Sequence, residues 1–171
     1  MFLDKNISKP HYFSNNWLAI GHVFFRNNTH ISLKNKNVIN SLDEIYKIHN
    51  DNFINFVKGN YIIIRLTNKG FKIYSDHFAV KKFFVYEERD EFIISDDLKE
   101  LTESIEVKPS QEAMAIYALT YHFTGGATLF ENITHNKPAE IIEYNGTQLI
   151  KFSYWRPEVL LDQKTKSIQI D

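Results

Sequence analysis

Histidines are the first side chains to consider for metal or acid–base chemistry. The chain has seven of them: His11, His22, His30, His49, His77, His122 and His135. No two share a spacing that places both imidazoles on one face of a helix or strand beside a carboxylate. The sequence has no cysteine, which excludes disulfides, thiolate nucleophiles and cysteine-ligated metals. We therefore expect no metal site.

Ser75, Asp76 and His77 have the residue types of a hydrolase triad, but they are consecutive. Neighbouring residues of a strand point to opposite faces, whereas a triad needs its three groups to converge in space. Gly125 and Gly126 follow a helical pattern and precede no Lys-Ser or Lys-Thr pair, so they predict a helix end and not a phosphate loop. We assign no catalytic, cofactor-binding or metal-binding residue.

The segment Lys69-Gly70-Phe71-Lys72-Ile73-Tyr74 leaves an RNA-binding alternative open. A basic residue, a glycine and alternating aromatics are typical of sheets that stack single-stranded RNA. However, Lys72 stands where a small residue is expected, and the net charge of the chain is −1. We interpret Phe71 and Tyr74 as packing residues.

Length and composition indicate one domain with a substantial core. The chain has 171 residues, of which 43% are hydrophobic and 15% aromatic. Its 20 basic and 21 acidic residues are interspersed, which argues against a nucleic-acid or anionic-membrane partner. The first ten residues lack the apolar core of a signal peptide, and no apolar run approaches the roughly 20 residues of a membrane span. We expect a cytoplasmic protein.

Two helices are predicted from caps and spacing. The first begins at Ser41, with Glu44 completing a capping box and with Leu42, Ile45 and Ile48 at helical spacing. The second runs from Gln111 to about His122 after Pro109 and Ser110. Its predicted buried stripe consists of Ala113, Ile116, Ala118 and Leu119.

Strands account for most of the rest. Apolar runs around Gly21 predict a strand over residues 17–25, followed by a loop at 27–30. Residues 60–66 predict a central strand that is covered on both faces, and Phe71 and Ile73 after the turn at 68–70 are expected to share a face. With 83–86 and 92–94, these segments predict an antiparallel meander.

The strongest hairpin signal is Asn145-Gly146, between strands predicted at 139–144 and 147–154. The dipeptide favours a type I′ turn, in which both central residues have positive φ.

Several short motifs follow one another along the chain: Gly59-Asn60-Tyr61, residues 75–84, residues 94–98, Thr128-Leu129-Phe130-Glu131-Asn132-Ile133, Pro138, the Asn145-Gly146 hairpin and Tyr154-Trp155. Their order resembles that in the N-terminal, glutamine-amidotransferase-like domain of the asparagine synthetase family. The resemblance covers about residues 40–156. It implies an α+β fold, in which two antiparallel sheets are stacked between helices as in N-terminal-nucleophile hydrolases. It also implies an amidotransferase-like domain over residues 1–156, followed by a linker or tail over 157–171.

The departures from the family pattern concern its glutaminase site. Active members of the family use as nucleophile a cysteine that loss of the initiator Met exposes, whereas this chain has Phe2 at that position. No Asn-Gly-Glu segment precedes Ser41, and Leu42 occupies the position of the substrate-anchoring carboxylate. The resemblance therefore implies a degenerate domain without a nucleophile, as in β-lactam synthetase and lasso-peptide cyclase relatives.

We accordingly expect a non-catalytic domain that supports or docks an ATP-dependent, amide-forming synthetase module. The partner would be an ATP-pyrophosphatase domain in cis or in trans, ATP and Mg²⁺ would belong to that module, and a homodimer is a further option. An alternative is an amidohydrolase whose nucleophile is exposed by processing, at Ser8, Ser14 or Thr29. The substrate is not indicated by the sequence.

Overall fold

The computed structural model describes residues 11–14, 16–25, 38–89 and 91–158. Their strands are β1 (His11–Ser14), β2 (Trp17–Phe25), β3 (Val57–Leu66), β4 (Phe71–Ser75), β5 (Phe84–Glu88), β6 (Glu91–Ser95), β7 (Ile133–His135), β8 (Glu140–Tyr144) and β9 (Leu149–Ser153). The helices are α1 (Val38–His49), α2 (Leu98–Ser104) and α3 (Gln111–Thr120), and a 3₁₀ helix spans Asn50–Phe56.

The strands form two antiparallel sheets. The larger has six strands in the order β1-β2-β3-β4-β8-β9, and the smaller has three in the order β6-β5-β7. The chain crosses from one sheet to the other after β4, so the predicted continuous meander is wrong. The physical reason is Asp76, whose carboxylate binds the next backbone N–H groups and turns the chain away from a hairpin.

β3 lies between β2 and β4 and contributes to two cores, as its apolar run predicts. Tyr61 and Ile63 point into a core that α1 and the 3₁₀ helix cover and that includes several aromatic rings. Ile62 and Ile64 point into a second, mainly aliphatic core shared with the smaller sheet. Phe71 and Ile73 of β4 both face this second core, which confirms their predicted common face.

The elements stack in four layers, which are α1 with the 3₁₀ helix, the six-stranded sheet, the three-stranded sheet and α2. α2 packs against β6 and β5, and its Leu101 is buried outside the core between the sheets. This arrangement confirms the predicted α+β class. No helix among the described residues is long and apolar enough to cross a membrane.

α1 begins earlier than its sequence signals predict. The helix starts at Val38, so Ser41 and Glu44 are interior residues and the predicted capping box is wrong. The extra turn places Val38 one turn before Leu42, and both are buried against the sheet. Ile48 is 73% exposed and does not belong to the buried face.

α3 has its predicted cap but not its predicted buried stripe. The Ser110 hydroxyl accepts a hydrogen bond from the N–H of Ala113 at 3.2 Å. Tyr121, in the left-handed region with φ 57°, ends the helix before the glycines are reached. Of the four predicted stripe residues only Ala113 is buried, whereas Leu119 is 83% exposed.

The β8–β9 hairpin is confirmed, but its turn differs from the prediction. The loop contains four residues, 145–148, and only Gly146 has positive φ, so the type I′ assignment is wrong. The Asn145 side chain accepts hydrogen bonds from the N–H groups of Thr147 and Gln148, at 3.0 and 3.1 Å. This Asx-type closure removes the need for positive φ at Asn145.

Candidate functional site

The loop after β4 is organised around the fully buried Asp76. One carboxylate oxygen accepts from the N–H groups of Phe78 and Val80 at 2.9 and 3.1 Å, and the other from that of Lys81 at 3.2 Å. Its own N–H donates to the carbonyl of Tyr61 at 3.2 Å. All these partners are backbone groups, so Asp76 shapes the loop and is not poised for catalysis.

Asn136 joins this loop to both sheets. Its side-chain oxygen accepts from the N–H of Phe83 at 3.0 Å, and its side-chain nitrogen donates to Ser75 Oγ at 3.2 Å and to the carbonyl of Lys81 at 3.0 Å. Ser75 Oγ therefore interacts with an amide and Asp76 with backbone. The structure does not bring Ser75, Asp76 and His77 into triad geometry.

His77 lies half-buried beside Lys58 and Tyr154. The Lys58 ammonium lies 3.4 Å from Nε2, and Tyr154 Oη lies 3.5 Å from Nδ1. Tyr154 donates to the carbonyl of Ser75 at 2.8 Å and lies 3.3 Å from Tyr61 Oη. Burial, with help from the Lys58 charge, lowers the pKa of His77. These contacts fit a neutral imidazole whose Nε2 accepts from lysine.

The position implied for a substrate-anchoring carboxylate holds no such group. Leu42 is fully buried in the core under α1. The next residue, Asp43, pairs with Lys47 at 2.7 Å and lies 3.4 Å from Trp17 Nε1. The hydrogen bond from Lys47 lowers the pKa of Asp43. In the described structure the Asp43 carboxylate is paired with Lys47, and Leu42 has no polar group to hold a glutamine α-amino group.

The described residues do not test the alternative nucleophiles Ser8, Ser14 and Thr29, nor the position of Phe2. Phe2, Ser8 and Thr29 lie outside the described residues, and Ser14 is placed only as the last residue of β1.

The aromatics suggested for RNA stacking lie in the interior. Tyr74 is fully buried, and its hydroxyl donates to Asp51 at 2.9 Å. The ring of Phe71 packs against Phe92, with centroids 6.0 Å apart. Lys72 contacts Asp51 at 2.7 Å, so this strand offers no free aromatic platform.

Among the described residues, the most exposed large apolar side chain is Leu119 of α3, and four more exposed ones lie on or beside this helix. We define the α3 surface by side chains that are at least two-fifths exposed: Met114, Tyr117, Leu119, Tyr121 and Leu129. Leu129 belongs to it because its carbonyl accepts from the N–H of Ser110 at 2.8 Å, at the start of the helix. Glu112 is the only charged residue of α3. A surface of this composition is typical of a protein–protein contact.

A pocket of about 420 Å³ lies between the smaller sheet and the segment before α3. Its charged lining consists of Glu88, Glu91, Glu106, Glu131 and Lys108. Among the described residues, no group of three or more acidic or histidine side chains is placed to hold a metal ion. The excess of carboxylates disfavours an anionic substrate there.

Sequence reasoning missed the α3 surface and the contact between His77 and Lys58. The first had only a partial signal in the sequence, because a ten-residue helix with one charge fits either burial in its own domain or contact with a partner. The contact between His77 and Lys58 depends on the conformation of the loop after β4, which the periodicity of the sequence does not predict. The chain matches no protein-family model and no curated protein.

Proposed function

We propose that this chain is a non-catalytic, glutamine-amidotransferase-like domain that docks an ATP-dependent, amide-forming synthetase module through the α3 surface. The observation that carries the proposal is the exposure of that surface, where Leu119 is 83% and Tyr121 is 76% exposed. Removing apolar area of this kind from water contributes about 25 cal/mol per Å² before the cost of association is subtracted.

The absence of glutaminase activity is part of the proposal. It is supported by Phe2 at the expected nucleophile position and by Leu42, which is fully buried at the expected anchor position. Leu42 contributes to the core under α1. The motif order in residues 40–156 and the two stacked sheets with flanking helices support the amidotransferase-like part.

In this proposal the partner module carries the chemistry. ATP and Mg²⁺ would bind there, a carboxylate would be adenylated, and an amine would attack it. The present domain contributes interface area, in a cytoplasmic setting.

Site-specific photocrosslinking tests the docking surface. A benzophenone amino acid is placed at Leu119, and the matched control is the same group at Thr147, which is exposed in the β8–β9 loop. After illumination in the native cells, mass spectrometry should find crosslinks from position 119, and not from 147, to a segment with a Ser-Gly-Gly-x-Asp-Ser phosphate loop. Crosslinks from 119 only to a second copy of this chain would instead make the α3 surface a homodimer interface.

Glutamine hydrolysis tests the other half of the proposal. The purified chain should release no ammonia from glutamine above the buffer blank. Release above the blank would refute the non-catalytic assignment.

A further inference from the structure

α3 is exposed on more than one side. Successive residues of an α-helix point about 100° apart around its axis, so Tyr117 and Leu119 point to nearly opposite sides of α3. Tyr117 is 43% and Leu119 is 83% exposed, and Ala118 between them is exposed as well. Ala113 is the only buried residue of the helix. The exposed apolar side chains therefore occupy an arc of about 200° around the helix axis.

α3 is attached to its own domain mainly at its first turn. The Ser110 N–H donates to the carbonyl of Leu129 at 2.8 Å, and Pro109 forms an isolated β-bridge with Phe130. At the other end, a Cβ added at Gly125 would meet no atom within 4 Å. Among the described elements, no helix or strand packs extensively against α3. Beyond its first turn, the helix thus has little of its own domain to pack on.

A helix of this length needs packing to be stable. Isolated helices shorter than about 12 to 15 residues are marginal in water, and α3 has ten residues. Tyr117 stacks on Phe123 with ring centroids 4.8 Å apart, but both rings belong to the helix and to the segment just after it. Packing by another molecule would therefore stabilise α3.

The dimensions of α3 favour a partner that surrounds it over one that touches a single side. Ten residues make a helix roughly 15 Å long and roughly 10 Å wide. A flat contact along it would cover only a small part of the roughly 800 Å² that a stable interface buries on each partner. A groove with two walls and a floor comes much closer to that area.

A second copy of this chain fits less well as the occupant. The pocket between the smaller sheet and the segment before α3 is lined by four glutamates and one lysine. The only charged residue of α3 is Glu112, so the helix has no cation to offer this pocket. Pairing of two α3 helices would cover one side of each helix and leave the other side in water.

We propose that α3 inserts lengthwise into an apolar groove of the synthetase module, with one wall against Tyr117 and the other against Leu119. This inference rests on the proposed docking through the α3 surface and specifies the shape and chemistry of the partner's site. Aliphatic and aromatic side chains line the groove, which carries little charge, because α3 itself carries only Glu112.

Photocrosslinking around the helix distinguishes a groove from a flat contact. A benzophenone amino acid replaces Tyr117, Ala118 or Leu119 in three separate full chains, which are expressed in the native cells, and the control position is Thr147. After illumination, all three positions should crosslink to the module with the Ser-Gly-Gly-x-Asp-Ser phosphate loop. Mass spectrometry should assign positions 117 and 119 to different segments of that module, since the two walls face each other.

The outcomes separate failure of the groove from failure of the proposed function. Crosslinks to the module from only one of positions 117 and 119 would overturn the groove and leave docking of the module intact. Crosslinks from all three positions to a protein without that phosphate loop, or only to a second copy of this chain, would overturn both the proposed partner and its groove.

Variants measure the same distinction as affinity, by biolayer interferometry between the full chain and the crosslinked module. Tyr117→Ala and Leu119→Ala should each weaken binding about tenfold, whereas a flat contact would make only one of them matter. Ala118→Arg keeps a good helix former and places a long cation against the groove floor, so it should weaken binding more than tenfold. Thr147→Arg is the matched control and should leave affinity unchanged. Circular dichroism verifies that each variant is folded.

Hydrogen exchange tests the premise on the chain without a partner. The amides of α3 should exchange at least about tenfold faster than those of α1, which is packed on the sheet through Val38 and Leu42. Equal protection of the two helices would show that its own domain already stabilises α3, and it would overturn the proposal.

Discussion

The Asp76 loop and the α3 surface use their side chains in opposite ways. In the loop, the buried carboxylate of Asp76 and the buried amide of Asn136 bond to backbone groups on neighbouring elements. On α3, large apolar side chains are exposed and pack little on their own domain. Buried polar groups whose hydrogen bonds are all made stabilise one conformation, whereas exposed apolar groups can bind another molecule. The first region therefore stabilises the fold, and the second is available for the docking that we propose.

Substitution of Asp76 should give the largest loss of stability. Asp76→Ala leaves three N–H groups without their acceptor, and we expect the free energy of unfolding to fall by about 3 to 5 kcal/mol. Urea denaturation measures the change. Asp97→Ala, which removes the α2 cap, should cost only about 1 kcal/mol. A similar small loss for both variants would show that the loop is not held by Asp76.

The same truncation in two helices tests the contrast directly. Leu101→Ala in α2 should lower the free energy of unfolding by about 2 to 5 kcal/mol, because Leu101 is 1% exposed. Leu119→Ala in α3 should change it by less than about 0.5 kcal/mol. Both values come from urea denaturation of the isolated chain. A large loss for Leu119→Ala would mean that α3 packs within its own domain.

Variants of Asn136 distinguish the hydrogen bond that its side-chain amide accepts from those that it donates. Asn136→Ala removes an acceptor for Phe83 and a donor to Lys81, and we expect a loss of about 2 to 3 kcal/mol. Asn136→Asp keeps the acceptor and, when protonated, an O–H donor towards the Lys81 carbonyl, whereas the ionised form buries a charge against that carbonyl. It should therefore be less harmful than the alanine variant at low pH and lose this advantage as pH rises. Thermal melting at matched pH compares the two, and equal melting temperatures would argue against a role for the acceptor.

The smallest expected effect is a pH dependence at His77. Its pKa in the folded chain lies below the ordinary value of 6.5, so the unfolded chain binds the proton more readily. Stability should therefore fall as pH drops from about 6.5 through the folded pKa. His77→Gln should show a shallower decline between pH 7 and pH 5 in urea denaturation. Identical slopes would show that the imidazole titrates normally.

The strands were largely predictable because alternation and apolar runs act locally. Ile62, Ile63 and Ile64 indicated a strand covered on both faces, and that is where β3 lies. The crossing between sheets was not predictable, because it depends on the hydrogen bonds that the Asp76 carboxylate accepts from the backbone N–H groups that follow it. The α1 start was missed for a related reason: packing of Val38 outweighed the local preference of Ser41 for a cap.

The candidate sites were less predictable than the fold. The hypothesis of a degenerate glutaminase site depends on residue type alone, at Phe2, and it stays a prediction. The pairing of Lys58 with His77 joins residues 19 positions apart through an irregular loop, and no periodic pattern reports such a contact. The α3 helix was predicted, but its exposure was not, because an apolar sequence alone does not distinguish a buried helix from one awaiting a partner.

Alternate residues of β3 belong to the core under α1 and to the core between the two sheets. Neither core would remain intact without this strand. Opening the helical layer would pull on the backbone that holds Ile62 and Ile64, and separating the sheets would pull on Tyr61 and Ile63. The two cores should therefore form one cooperative folding unit, in which the β3 amides become accessible to solvent exchange only when the whole domain unfolds.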